Sequence, residues 1–310
     1  MTTSSESPLL QVQDLRVQFT SPDGSTSNAV RGVSFALGRE KLGIVGESGS
    51  GKSTVGRALL GLHPRNAKVD ATRLQFDDVN LLQASAAQMR AIRGRRMSMI
   101  MQDPKYSLNP VMRVGDQIAE AYLAHNRASR AEARQQVLAM LESVRIRDPE
   151  RVYGLYPHQV SGGMGQRIMI AMMLVPQPEV VIADEPTSAL DVSVRMQVLD
   201  VLNELVASRG LGLIFISHDL NLVRHFCDRV LVMYQGEAVE TGSVEQIFHA
   251  PQHPYTKALL AAVPQLGAMT GQAYPRRFPL IALHDPSHVE PQTEQDTVVE
   301  GEPILQVRNL

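Results

Sequence analysis

The stretch "GESGSGKST", Gly46 to Thr54, lies between the apolar run "KLGIV" and a segment with helical periodicity from Ser53 to Leu62. A strand that turns through glycines directly into a helix is the context in which the P-loop pattern carries meaning. Gly46, Gly49 and Gly51 let the backbone N–H groups of this turn, including those of Glu47, Ser48 and Ser50, converge on phosphate oxygens. Lys52 reaches the β and γ phosphates, Ser53 can ligate Mg²⁺, and Thr54 completes the pattern. An ordinary flexible Gly/Ser turn is the bland alternative, and it does not explain the strand before or the helix after.

A second constellation lies in "VVIADEPTSALD". Its apolar start predicts a buried strand whose C-terminal end delivers Asp184 and Glu185 to the crevice where α/β sheets bind ligands. Asp184 suits a magnesium contact through water, and Glu185 is positioned to orient or deprotonate an attacking water. Gln102 ends the apolar run in "MSMIMQDP", and His218 ends "LGLIFIS". Each could be a plain polar strand terminus. Their shared location suggests that Gln102 senses the metal and water while His218 contacts the γ-phosphate as a neutral donor.

Strands are expected in "LLQVQDLRVQF", "AVRGVSFAL" and "KLGIV", with "SPDGSTSN" as the loop between the first two. Residues 114 to 145 carry two helical patterns, the second opened by Ser129 with Glu132 three residues on. A helix from about Ser161, a strand "EVVIAD", a helix near 192 to 208, "LGLIFIS", and short strands near "RVLVMYQG" and "EAVETG" follow. The alternation predicts an α/β fold with a mainly parallel sheet covered on both faces. Beyond Pro251 the composition shifts toward Pro, Gln, Glu and Thr and reads as an extended tail or linker.

Composition removes several classes of function. The formal net charge is −2, so no electrostatic footprint argues for nucleic acid, and "RGRR" at 93 to 96 reads as a solvated face. Cys227 is the single cysteine, which excludes disulfides within the chain and a cysteine metal cluster, and fits a reducing cytosol. The longest apolar runs have the length of core elements, and "MTTSSES" does not read as a signal peptide. His249 and His253 are spaced like metal ligands, but Pro251 and Pro254 disfavour the helix that would align them.

"VSGGMGQR" adds a second anion site, because Ser161, Gly162 and Gly163 open a helix although the P-loop already cradles phosphates. Lys52, Gln102, the "SGGMGQ" stretch, "ADEP", "SALD" and His218, in this order over about residues 9 to 264, resemble the nucleotide-binding subunit of ATP-binding cassette (ABC) transporters. The resemblance implies a P-loop NTPase fold with an antiparallel β subdomain and a helical insertion near 104–176. ATP and Mg²⁺ would be bound by one cassette while Ser161, Gly162 and Gly163 close on the γ-phosphate held by another, fused or paired as a homodimer. Asp191 would touch that contact, although Asp at a helix start is equally a cap. Phe19 aligns with the family's adenine-stacking aromatic and equally fits the alternation Leu15, Val17, Phe19 of a core strand. Met164, Ile168, Ala171 and Val175 recur at the spacing of a buried helix face.

"HAPQHPYTKALLAAVP" resembles the segment after the cassette in importers of dipeptides, oligopeptides and nickel. "PQLGAMTGQAYPRRFPLI" and "TVVEGEPILQVRNL" look closer still to the glutathione importers of that group, in which one chain carries tandem cassettes. By that resemblance residues 1–250 form the ABC ATPase domain, 251–302 an extension or linker, and 303–310, which repeats "PLLQV" as "PILQV", the start of a second cassette. The implied function is ATP hydrolysis that energises uptake of glutathione or small peptides, on the cytoplasmic side of the bacterial inner membrane. The implied partners are two permeases and an extracytoplasmic binding protein. Dipeptide, oligopeptide or nickel import, a cassette acting on nucleic acid or ribosomes, and a degenerate structural cassette are the alternatives. The chain departs from the family pattern at Val160 (usually Leu), Gly165 (usually Arg or Ser) and Met101 (commonly Phe).

Overall fold

The computed structural model describes residues 8–188, 190–263 and 308. The chain forms two compact units, Met1–Ala250 and Pro251–Leu310. The repeat at 303–310 lies outside the described residues except for position 308.

In chain order the strands are β1 (Leu10–Thr20), β2 (Thr26–Leu37), β3 (Lys41–Val45), β4 (Ala67–Asp70), β5 (Arg73–Phe76), β6 (Val79–Asn80) and β7 (Met97–Ile100). β8 (Val180–Asp184), β9 (Gly212–Ile216), β10 (Arg229–Tyr234) and β11 (Glu237–Ser243) complete them. The helices are α1 (Lys52–Leu59), α2 (Ala86–Ile92), α3 (Pro104–Ser107), α4 (Val114–Leu123), α5 (Arg130–Ser143) and α6 (Pro149–Tyr153). They continue with α7 (Gly162–Leu174), α8 (Val192–Arg209), α9 (Leu220–Phe226), α10 (Val244–His249) and α11 (Pro254–Ala261).

The parallel sheet runs β11-β10-β3-β9-β8-β7, with only β11 antiparallel to its neighbour. Every residue of β7, β8 and β9 is buried, as expected of strands covered on both faces. Each Val, Leu or Ile buried there contributes about 1.5–3 kcal/mol. The second sheet is antiparallel, in the order β2-β1-β5-β6 with β4 on β1. Its apolar face (Leu10, Val12, Leu15, Val17, Phe76) and the parallel strands share one core with Val55, Ala58 and Leu59 of α1. Helix α1 approaches the parallel sheet closely: a Cβ on Gly56 would come 3.0 Å from Ile182 Cγ2.

Helices α4, α5 and α7 pack on one another, α6 packs on α4 and α5, and α7 also meets β7 and α8. Ser129 and Glu132 form the expected capping box on α5. On α7, Ile168 and Ala171 are buried, as is Val175, which caps its C-terminus, while Met164 is half-buried.

Several expectations need correction. The turn between β1 and β2 is Ser21–Ser25, shorter than "SPDGSTSN", because Ser27 and Asn28 already pair with Phe19 and Gln18. Residues 67–92 hold three short strands and α2, for which the sequence offered no alternation long enough to read. The "RGRR" stretch is not simply a solvated face. Arg93 donates to the carbonyls of Leu60 and Gly61 at the end of α1, and Arg96 to Glu179 just before β8 and to Asp77 between β5 and β6, so both side chains tie separate segments together. The segment after Pro251 is not extended throughout, since Pro254 begins α11; proline at the first helical position gives up an N–H that has no helical partner anyway. No described helix is long and apolar enough to cross a membrane.

Candidate functional site

Three parallel strands, β3, β9 and β8, deliver their C-terminal ends to one cleft of about 540 Å³. Ser48, Gly49, Gly51, Lys52, Ser53 and Thr54 line it together with Gln102, Glu185 and His218. An adjoining cleft of about 530 Å³ is lined by Ser53, Gln102 and Asp184, along with Arg57, Asp103 and Ser188.

The P-loop glycines answer to geometry. Gly51 has φ +98°, and a Cβ there would lie 2.4 Å from the Ala29 carbonyl; Gly46 has φ +148°, and its Cβ would lie 2.1 Å from the Met233 carbonyl. Both positions demand positive φ and leave no room for a side chain. Lys52, at the start of α1, folds its ammonium back into the loop, donating to the carbonyls of Gly46 (2.8 Å) and Glu47 (2.7 Å) and to Ser50 Oγ (3.4 Å). Burial pushes its pKa down, against the pull of Glu185, Asp184 and Glu47, so the site favours an anion that would keep the lysine charged.

Ser53 Oγ donates to Asp184 Oδ1 at 2.7 Å. Asp184 is 5% exposed, and burial raises its pKa, opposed by the Ser53 bond and by Arg57. A hydroxyl, a carboxylate and the Gln102 amide make an oxygen-rich donor set suited to a hard divalent cation, which would offset the cost of the buried carboxylate.

Glu185 follows β8 with φ +49°, uncommon for a residue with a side chain and most often met at functional sites. Its N–H donates to the Ile216 carbonyl on β9, and its Oε1 lies 2.8 Å from His218 Nδ1. With Glu185 ionised, the imidazole proton sits on Nδ1, and a neutral His218 then offers only an acceptor at Nε2. A neutral donor to phosphate therefore requires His218 to release Glu185.

Ser161, Gly162 and Gly163 do not line these clefts. Ser161 caps α7, its Oγ accepting from the Met164 N–H at 3.3 Å. Ser161 and Gly162 line a separate cavity of about 280 Å³ with Val160, Gly165, Pro104 and Leu190. Gly163 is held against α8, where a Cβ would meet Val194 Cγ1 at 2.4 Å. Asp191 caps α8, accepting from the Val194 N–H at 3.0 Å. Phe19 is partly buried against the shared core and is not among the residues lining the P-loop cleft. His249 ends α10, and His253 caps α11 by accepting from the Tyr255 N–H at 3.2 Å.

Arg57 is the residue the sequence reading missed. It stands four positions after Ser53 on α1, so helical spacing would have put both on one face. The Ala29 carbonyl could not have been found, since it reaches the loop only through tertiary packing.

The fold and the cleft together define a P-loop nucleotide-binding cassette. The chain belongs to the ABC transporter family, which it matches over residues 30–188. Residues 239–287 match the C-terminal region of oligopeptide/dipeptide transporters. Over 309 residues the chain is 54% identical to the glutathione import ATP-binding protein GsiA of Escherichia coli O157:H7 and, equally, to that of Shigella flexneri. Each alignment takes in 97% of this chain and 49% of the relative, so the chain spans about half the length of the curated relatives it matches. A dimeric post-hydrolysis structure of the ATP-binding cassette MJ0796, bound to ADP and Pi, shares the fold: TM-score 0.68 and 24% identity over 76% of this chain and 98% of that one. For cbiO1 of Clostridium perfringens, part of the ABC transporter complex cbiONQ, the TM-score is 0.66 and the identity 26%, over 79% and 92% of the two chains.

Proposed function

We propose that the chain binds and hydrolyses ATP between two cassettes and thereby energises uptake of glutathione or small peptides through two permeases, with an extracytoplasmic protein supplying the cargo. One observation carries the reading. The helix start at Ser161, Gly162 and Gly163 lines a cavity apart from the P-loop cleft, so two anion-binding elements of one chain do not meet over one phosphate. A second cassette, fused or from another copy, supplies the missing half of each.

In this reading the loop N–H groups and Lys52 hold the phosphates, with Lys52 exchanging its bonds to the Gly46 and Glu47 carbonyls for phosphate oxygens. Ser53, Asp184 and Gln102 would hold Mg²⁺, which when bound neutralises charge on the phosphates. Glu185 orients the attacking water and draws its proton, and His218, already 2.8 Å from Glu185, fixes that carboxylate's direction. Asp191, besides capping α8, would touch the partner cassette, and Phe19 would reach the adenine with the part of its ring that the shared core leaves uncovered. Glutathione as cargo rests on the likeness to GsiA across 97% of the chain. Site and partners imply work on the cytoplasmic face of the inner membrane.

Dilution tests the paired mechanism: turnover per chain should rise with protein concentration as pairs form. Equal turnover by a strictly monomeric preparation overturns it. For cargo, vesicles carrying the permeases should take up glutathione in an ATP-dependent manner; uptake of dipeptides alone would overturn that assignment.

A further inference from the structure

Arg195 breaks a local rule. It sits near the N-terminus of α8, where the helix dipole disfavours a cation. Its Nε is buried and finds no partner among the described residues. Tertiary contacts explain why a cation stands there. Nη1 donates to Asp219 Oδ2 at 3.0 Å, and Nη2 reaches the Leu190 carbonyl at 3.4 Å.

Both ends of this fork lead to functional elements. Leu190 lines the cavity beside Ser161 and Gly162, and a Cβ on Gly162 would lie 3.9 Å from Leu190 Cδ2. Asp219 follows His218 directly and is itself fixed: its Oδ1 accepts from the N–H groups of Asn221 and Leu222, and its own N–H donates to Ser217 Oγ. His218 in turn holds Glu185. The path from the Ser161 cavity to the P-loop cleft thus runs through Leu190, Arg195, Asp219, His218 and Glu185.

We infer that Arg195 is a positioning residue that ties the Leu190 segment beside Ser161 and Gly162 to the His218–Glu185 pair, so that hydrolysis depends on a side chain touching neither nucleotide nor water. The inference rests on the ATPase reading above. A guanidinium suits the task because its planar fork serves two acceptors at once, which an ammonium does with far less geometric control.

The test compares wild type, Arg195→Gln, Asp219→Asn and the double variant by ATP hydrolysis, nucleotide titration and thermal unfolding. Arg195→Gln should lower kcat by about tenfold, the scale of coupling carried by residues outside both sites. ATP affinity should change by less than about twofold, since the P-loop is untouched. Asparagine retains the cap on α9, so Asp219→Asn should lose rate similarly, and the double variant should lose little more than either single change. Should Arg195→Gln not fold, Arg195→Lys replaces it, keeping a charge toward Asp219 and losing the second arm, with the same split between rate and affinity. Unchanged kcat, a parallel fall of affinity and rate, or additive losses in the double variant would each overturn the inference while leaving the ATPase reading intact. Wild type that does not hydrolyse ATP would overturn both.

Discussion

Glu185 Oε1 and His218 Nδ1 lie 2.8 Å apart at the ends of two adjacent parallel strands. The sequence offered these residues separately; the register of β8 on β9, with Asp184 opposite Ile216, brings them together. Glu185 is also held by its own backbone, in a left-handed conformation that costs on the order of 1–3 kcal/mol and persists only where the surroundings enforce it.

Replacing Glu185 by Gln preserves shape and removes the base. ATP affinity is expected to stay within about twofold while kcat falls by about 10² or more, the usual contribution of a positioned base. Phosphate release alongside nucleotide titration checks this, and retained turnover in a paired preparation would refute the role given to Glu185.

Lys52→Ala removes an ammonium held in the loop by the Gly46 and Glu47 carbonyls. A charge-assisted bond to phosphate is worth about 1.5–3 kcal/mol, so ATP should bind about 10- to 100-fold more weakly. Unchanged affinity by titration counts against the P-loop assignment.

Asp184→Asn separates stability from chemistry. Burial holds the Asp184 pKa above its ordinary value of 3.8, so the folded chain keeps this proton more readily than the unfolded chain. The stability contributed here is therefore present at low pH and is lost as pH rises from 3.8 through the raised folded value. Without nucleotide, the variant should melt higher than wild type at neutral pH, with the gain shrinking toward acid, while Mg²⁺-dependent hydrolysis is lost. A lower melting temperature at neutral pH would show that the carboxylate stabilises the fold.

Two glycines should respond oppositely to alanine. At Gly165, within α7, an added Cβ meets only Pro104 among the described residues, at 3.7 Å, so Gly165→Ala is expected to gain about 0.5–1 kcal/mol through lower backbone entropy in the unfolded chain. At Gly51 the Cβ would strike the Ala29 carbonyl at 2.4 Å in a positive-φ conformation, and the loss should be about 1–3 kcal/mol. Thermal unfolding reads both as shifts of roughly 2–4 °C per kcal/mol for a domain of this size. Destabilisation by Gly165→Ala would mean that α7 is packed more tightly than this contact implies.

Much of the site was legible because it rests on local chemistry. The P-loop glycines, the cap at Ser129 and the buried strands Val180–Asp184 and Gly212–Ile216 follow from residue type and period alone. Short strands such as Ala67–Asp70 escaped notice because four residues with half-exposed alternation carry too little pattern. Helix α11 is hidden in the sequence because a proline such as Pro254 can break a helix or stand as its first residue, and residue type alone does not separate the two.

By itself the sequence determined which residues could bind phosphate, ligate a hard cation or act as a base, since those capacities belong to side chains and to turns a few residues long. Only the tertiary structure decided which of them meet. Lys52 spends its donors on its own loop, His218 is bonded to Glu185, and Arg195 spans from Leu190 to Asp219. Such contacts join residues distant along the chain, and what sets them is strand order and register, which no short stretch of sequence encodes.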